Sequence, residues 1–178
     1  MPRILTAIFL LPLPAAAQSI CAFDAYTDFA NPAPAIHAGP SPNSSQIGTA
    51  PHGTEAVDGF AFGAYVTVTE MQDGWAHVTN VVAWNDQTTA PDGWINGDDI
   101  QFTAQTDVMF AAPDPASDVV WETNNYSYIK TLLDCDGEWA KVIMRTDNEV
   151  DFTGWVRGIC AVQETTCDGT FGDKAPVP

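Results

Sequence analysis

The chain has 178 residues and a formal net charge of −17, from 6 Lys and Arg against 23 Asp and Glu. So few basic residues cannot form a groove of several cations, and we therefore expect neither nucleic acid nor an anionic membrane surface as a partner. A hydrophobic content of 46%, with six Trp and nine Phe, is too high for a disordered protein and indicates a folded chain.

The first residues have the pattern of an export signal. Arg3 supplies a positive charge, residues 4–13 form an apolar run, and Ala15-Ala16-Ala17 fits the small residues before a cleavage site. We therefore expect a signal peptide over 1–17 and a periplasmic or secreted protein. A lipid anchor on Cys21 is disfavoured because the bulky Ile20 precedes it. No later stretch is long and apolar enough to predict a transmembrane helix.

Four cysteines in an exported chain predict two disulfides, with three possible connectivities. A zinc site is the competing interpretation, but the closest pair has six residues between its members, and neither the short ligand spacing nor a Cys-x-x-Cys motif occurs. The sequence leaves the pairing open. A bond from the first cysteine to any later one would join the N-terminus to the second half of the chain. The predicted disulfide residues are Cys21, Cys135, Cys160 and Cys167.

Short strands and turns are predicted after an N-terminal segment that covers 18–30. Residues 31–53 are rich in Pro and Gly, which suits short extended pieces rather than helices. A strand is predicted over 60–70, where Val and Thr alternate. No long window after residue 19 has a helical period, so we expect an all-β protein.

One motif occurs twice in the chain. Asp73-Gly74-Trp75-Ala76-His77-Val78 is a turn and a strand, and Gly93-Trp94-Ile95 begins the next strand. In the second half, Asp136-Gly137-Glu138-Trp139-Ala140-Lys141-Val142 and Gly154-Trp155-Val156 repeat this plan. The repetition predicts two small β-domains of the same design, followed by a polar tail over 163–178.

Further short motifs in the first copy connect this repeat to a known family. Ala38-Gly39-Pro40-Ser41, Ile47-Gly48-Thr49 and Pro51-His52-Gly53 precede the Asp-Gly-Trp and Gly-Trp strands in that order. In the order of these motifs, each half resembles a bacterial SH3-like (SH3b) domain. The first copy covers 31–103 and the second covers 106–162. The second copy lacks the isoleucine-glycine and proline-x-glycine motifs.

The resemblance implies two small, strongly bent β-barrels in tandem. It also implies binding at peptidoglycan or at a peptide segment, without catalysis. The family often has an Arg before its alanine-proline turn, where this chain has His37 and Phe110.

The sequence contains no arrangement that favours catalysis or a metal. All three histidines lie in the first half, whereas three of the four cysteines lie in the second, and no Gly-x-Ser-x-Gly occurs. Acidic loops such as 96–99 and 147–151 do not have the EF-hand spacing, and with 23 acids, pairs of carboxylates arise by chance. We therefore expect no enzyme activity and no cofactor.

Aromatic residues are the remaining candidates for a binding site. Trp75 and Trp139 recur in the repeat, so a place in the core is favoured for them. Trp84, Trp121 and Tyr126 lie outside the repeated motif, and we predict that these three bind ligand through their rings.

The sequence thus predicts an exported, non-catalytic binding protein whose partner is a cell-wall component or an envelope protein. The alternative is an acidic inhibitor or immunity-type protein that blocks a basic partner.

Overall fold

The computed structural model describes residues 19–29, 32–52, 62–83, 88–106, 108–122 and 127–161. The predicted signal peptide, Trp84, Tyr126 and Cys167 lie outside these ranges. Within them the chain is all-β, as the sequence predicts, with antiparallel strands and one 3-10 turn over Gly97–Asp99. The strands are β1 (Ser19–Thr27), β2 (Ala35–His37), β3 (Gln46–Thr49), β4 (Tyr65–Gln72), β5 (Trp75–Val82), β6 (Gly93–Asn96), β7 (Ile100–Gln101), β8 (Thr103–Ala104), β9 (Val108–Phe110), β10 (Val119–Glu122), β11 (Ser127–Asp136), β12 (Trp139–Thr146), β13 (Asp151–Val156) and β14 (Ile159–Cys160).

The same strand order occurs in both halves. The first sheet has the order β3-β2-β6-β5-β4-β1-β7, and the second has the order β10-β9-β13-β12-β11, which matches the first five strands one for one. Strands β14 and β8 form a small third sheet. Neither large sheet closes on itself in the described part of the chain. The described residues thus form open antiparallel sheets rather than the two closed SH3-like barrels that the resemblance implies.

The N-terminal segment 18–30 contributes a strand to the first sheet. Its β1 pairs with β4 along most of its length and with β7 at its end. Cys21, Phe23 and Ala25 are buried while Ala22 and Asp24 are exposed, which is the alternation of a strand with one face on the core. The segment is thus part of the first half rather than a separate extension.

The two halves share one hydrophobic core. A single cluster of buried side chains includes Val68, Val78 and Ile95 from the first sheet together with Leu132 and Val142 from the second. These five are fully buried. Burial of each such aliphatic side chain is worth about 1.5–3 kcal/mol, so the contact between the halves stabilises both.

One disulfide joins the two sheets. Cys21 on β1 is bonded to Cys135 on β11, across 114 residues of sequence. The N-terminus is therefore bound covalently to the second half, which was the consequence expected if Cys21 paired with a later cysteine. Cys160 is also disulfide-bonded.

Among the described residues, no helix has the length and apolarity to cross a membrane.

Candidate functional site

A row of rings crosses the face of the first sheet that is opposite the core. His37 on β2 pairs with Trp94 on β6, and Trp94 pairs with His77 on β5. Trp75 lies two residues before His77, so its side chain is on the same face, while Ala76 between them is fully buried on the other. We call His37, Trp75, His77 and Trp94 the His–Trp face.

The four rings contact one another in pairs. The centroids of His37 and Trp75 are 5.2 Å apart, and those of His77 and Trp94 are 5.1 Å apart, both in edge-to-face geometry. His37, Trp75 and His77 are half-buried, whereas Trp94 is buried at the centre of the row. The rings therefore support each other and still present part of their surface to solvent.

Hydrogen bonds fix the orientation of both imidazoles. His37 Nδ1 donates to the Ser44 carbonyl oxygen at 2.9 Å, and His77 Nδ1 lies 2.9 Å from Thr69 Oγ1. Because Nδ1 is engaged in both rings, Nε2 is the nitrogen left to meet a ligand. Glu70 pairs with His77 across the β4–β5 ladder, and its Oε1 is buried with no hydrogen-bond partner among the described residues.

The second sheet has a face built at the same positions. Phe110 on β9 pairs with Trp155 on β13, and Trp155 pairs with Lys141 on β12. Trp139 lies two residues before Lys141 and contacts Phe110 edge-to-face at 5.6 Å. We call Phe110, Trp139, Lys141 and Trp155 the Lys–Trp face. Its members stand at the places of His37, Trp75, His77 and Trp94 in the same strand order.

The equivalent rings have different surroundings in the two faces. Trp139 is buried, belongs to a small cluster with Val108 and Phe110, and is covered by the Arg157 guanidinium at 5.0 Å. In the first sheet, Trp75 pairs instead with Asn96, whose shorter side chain carries no such cation. Phe110 and Trp139 are therefore buried where His37 and Trp75 are half-buried, which makes the His–Trp face the better candidate for binding.

Trp121 is the predicted binding residue that the structure describes. It lies on β10, is half-buried, and stacks on Phe152 with centroids 4.8 Å apart and ring planes 14° from parallel. It packs against the main core and does not join either aromatic face. Trp84 and Tyr126 lie outside the described residues, so their predicted role stays a prediction.

Three carboxyl groups lie close together near the end of β1. Burial raises the pKa of Asp99, and repulsion from Asp98 and Asp28 raises it further. Burial is also the main cause of the raised pKa of Tyr26, with a second contribution from Asp28. A positively charged partner would lower the pKa of Asp99 again, but these three carboxyl groups by themselves do not define a binding site. In the described ranges, no set of three His, Cys, Asp or Glu side chains is placed to hold a metal ion.

An exposed ion-pair network lies on the second sheet. Arg145 donates from Nε to Asp151 Oδ1 at 2.6 Å and from a terminal nitrogen to Oδ2 at 2.9 Å. Lys130 Nζ approaches Asp151 Oδ2 at 2.7 Å. These bonds, that of Arg145 first, hold the pKa of Asp151 well below its ordinary value. The network joins three strands, since Lys130, Arg145 and Asp151 lie on β11, β12 and β13.

Comparison with protein-family models, with curated proteins and with solved structures found no match for this chain. The resemblance to bacterial SH3-like domains therefore depends on the sequence motifs described above.

Sequence reasoning favoured the core for the repeated Trp75 and did not single out the histidines beside it, whereas Trp75 is half-buried on the face opposite the core. The signal was present, because Trp75 and His77 are two residues apart in a predicted strand and must share a face. That His37 lies on the same face depends on β2 pairing with β6, a contact across 57 residues that no local pattern predicts.

Proposed function

We propose that this protein is an exported, non-catalytic binding module that acts at the cell envelope, and that the His–Trp face is its binding surface. The observation that carries the proposal is the row of ring contacts across β2, β6 and β5, where three of the four rings are only half-buried. Aromatic rings with polar edges suit the apolar faces of sugars and extended peptide segments. Peptidoglycan contains both chemistries, and an envelope protein segment contains the second.

The contrast between the two faces supports this choice. At two of the four positions the Lys–Trp face buries its rings, with Phe110 at 4% exposure and Trp139 at 8%, where His37 and Trp75 are half-buried. At a third position the order is reversed, since Trp155 is half-buried and Trp94 is buried. Rings needed only for stability would be expected to be buried, as Phe110 and Trp139 are. The His–Trp face instead has polar ring edges, and beside it lies Glu70, whose buried Oε1 has no hydrogen-bond partner among the described residues.

Two further parts of the proposal concern architecture and compartment. Two sheets with the same strand order support two SH3-like units, although their closure into barrels is part of the proposal. The Cys21–Cys135 disulfide supports an oxidising compartment, since such bonds persist mainly in exported proteins. The mass of the protein recovered from the periplasm or medium tests export, because cleavage after Ala17 leaves Gln18 first.

Sedimentation with purified peptidoglycan tests the proposed function. We expect the wild-type protein to sediment with the wall and the variants Trp75→Ala and His37→Ala to lose most of this retention. Phe29→Ala is the matched control, because Phe29 is an exposed aromatic residue of the same half that lies outside the face. Equal retention of all four proteins would contradict the role of the face. Trp84→Ala and Trp121→Ala test the residues predicted from the sequence in the same assay.

A second candidate function is an acidic inhibitor that blocks a basic partner. Among the described acidic residues, Asp151 alone forms salt bridges, and it takes up both Lys130 and Arg145. Most of the negative charge is therefore uncompensated and available to a cation. Such a complex should weaken steeply as salt is raised, and the protein should not sediment with the wall.

A further inference from the structure

A cleft of about 750 Å³ lies along the seam between the two halves. One wall is the exposed side of β1 and β4, with Asp24 and Tyr65, and the other comes from the second half, with Glu138 and Ile159. The volume is within the range of ligand sites, about 300–1,000 Å³. Neither half has this cleft by itself, and it is separate from the His–Trp face.

A row of hydrogen bonds crosses the floor of the cleft through three strands. Asn80 Nδ2 on β5 donates to Thr67 Oγ1 on β4 at 3.3 Å, and Thr67 Oγ1 donates to Asp24 Oδ1 on β1 at 2.8 Å. Asn80 reaches this row from a left-handed backbone conformation, with φ of 53°, at an irregularity in the β4–β5 register. The row fixes the Asp24 carboxylate in the cleft, although its residue is exposed.

The opposite wall is held rigidly against β1. Ala22 N donates to the Gly137 carbonyl oxygen at 2.9 Å, and Gly137 N donates to the Ile20 carbonyl oxygen at 2.9 Å. The Cys21–Cys135 disulfide lies beside these bonds. Glu138 directly follows Gly137, so its position relative to β1 is set by this attachment.

The charges of the cleft have one sign. Asp24 and Glu138 are its charged side chains, and no basic residue lines it in the described part of the chain. Two carboxylates on opposite walls attract a cation, and a protein with a net charge of −17 repels anions. Tyr65 and Ile159 add apolar surface between the carboxylates, which suits the methylene stem of a long basic side chain.

We infer that this seam cleft binds an extended peptide segment through a Lys or Arg side chain, with Asp24 and Glu138 as its ionic partners. The stem of the basic side chain lies against Tyr65 and Ile159. This inference goes beyond the function proposed above and does not depend on the His–Trp face.

Titration calorimetry of the disulfide-intact protein with a short, capped alanine–lysine peptide tests the inference. We expect saturable binding that weakens by at least about fivefold in Asp24→Asn and in Glu138→Gln, because each variant removes one charge-assisted contact. The variants keep the fold, since an Asn at 24 still accepts from Thr67 and Glu138 is exposed. Asp147→Asn and Glu149→Gln are matched controls, because they remove the same charges at exposed positions outside the cleft.

The inference is overturned by no binding of the lysine peptide, by equal weakening in the control variants, or by equally tight binding when the lysines are acetylated. Tighter binding of a neutral chitin oligosaccharide than of the lysine peptide would also contradict it. Wall sedimentation of the same proteins separates the two proposals. A wild-type protein that binds the peptide but does not sediment with the wall counts against the proposed function only. A wild-type protein that sediments with the wall but does not bind the peptide counts against the seam cleft only.

Discussion

Cys21 on β1 is disulfide-bonded to Cys135 on β11, with their Cα atoms 5.4 Å apart. The bond joins a strand of the first sheet to the edge strand of the second, beside the backbone hydrogen bonds between Ala22 and Gly137. It therefore supports the seam that the two halves share, and its contribution to stability can be measured directly.

Removal of this disulfide should strongly destabilise the protein. For a loop of about 100 residues, the chain-entropy model gives a stabilisation of about 4.7 kcal/mol, with measured values often smaller. We expect the Cys21→Ala/Cys135→Ala double variant to lose about 3–5 kcal/mol of unfolding free energy in urea titrations. The wild-type protein under reducing agent should move towards the variant. An unchanged midpoint would show that the shared core holds the halves together without the bond.

Gly97→Ala should also weaken the seam. A Cβ at Gly97 would overlap the Leu132 carbonyl oxygen, a backbone atom of β11 that cannot rotate away. Overpacking of this kind costs about 1–3 kcal/mol, so the thermal midpoint should fall. Gly39→Ala is the control, because there the nearest atom is the Ser44 hydroxyl oxygen at 3.2 Å on a surface loop. Equal midpoints for the two variants would contradict the close approach.

Local patterns in the sequence were enough to predict most of the strands but not their partners. The Asp-Gly turns and Trp-Ala-x-Val motifs predict β4, β5, β12 and the repeated plan, because turn chemistry and alternation are local properties. β1 was missed as a strand of the first sheet, since its partners on β4 and β7 are at least 39 residues away and Ala and Asp are weak strand formers. The shared core and the seam cleft have the same origin: they arise from contacts between the halves, which no motif encodes.

Asp99→Asn should stabilise the protein at neutral pH. Burial and the neighbouring Asp98 raise the pKa of Asp99 above its unfolded value of about 3.9. The ionised form is therefore penalised in the folded state, and this cost is present above the folded pKa and absent below the unfolded one. We expect a higher thermal midpoint for the variant at pH 7 and no difference near pH 3. A lower midpoint at pH 7 would show that the carboxylate is stabilising there.

Asp151→Asn should show the opposite pH dependence. Bonds from Arg145 and Lys130 lower the pKa of Asp151, so its contribution is fully present above the unfolded pKa and is lost as pH falls through the folded one. The variant should be slightly less stable than wild type at pH 7, since exposed ion pairs contribute little. The difference should shrink below pH 4 and also in high salt, as urea titrations at several pH values would show. A difference that is independent of pH would exclude the ion pairs as its cause.

Trp75→Ala and Trp139→Ala compare one repeat position in its two uses. Trp139 is 8% exposed and packs against Phe110 under Arg157, so its truncation should cost about 3–5 kcal/mol of unfolding free energy. Trp75 is half-buried with His37 as its ring partner, so the same change should cost clearly less. If the His–Trp face binds the envelope ligand, Trp75→Ala should lose wall retention while most of its stability remains. Trp139→Ala, assayed well below its unfolding temperature, should keep retention. The reverse pattern would assign binding to the second sheet and structural support to the first.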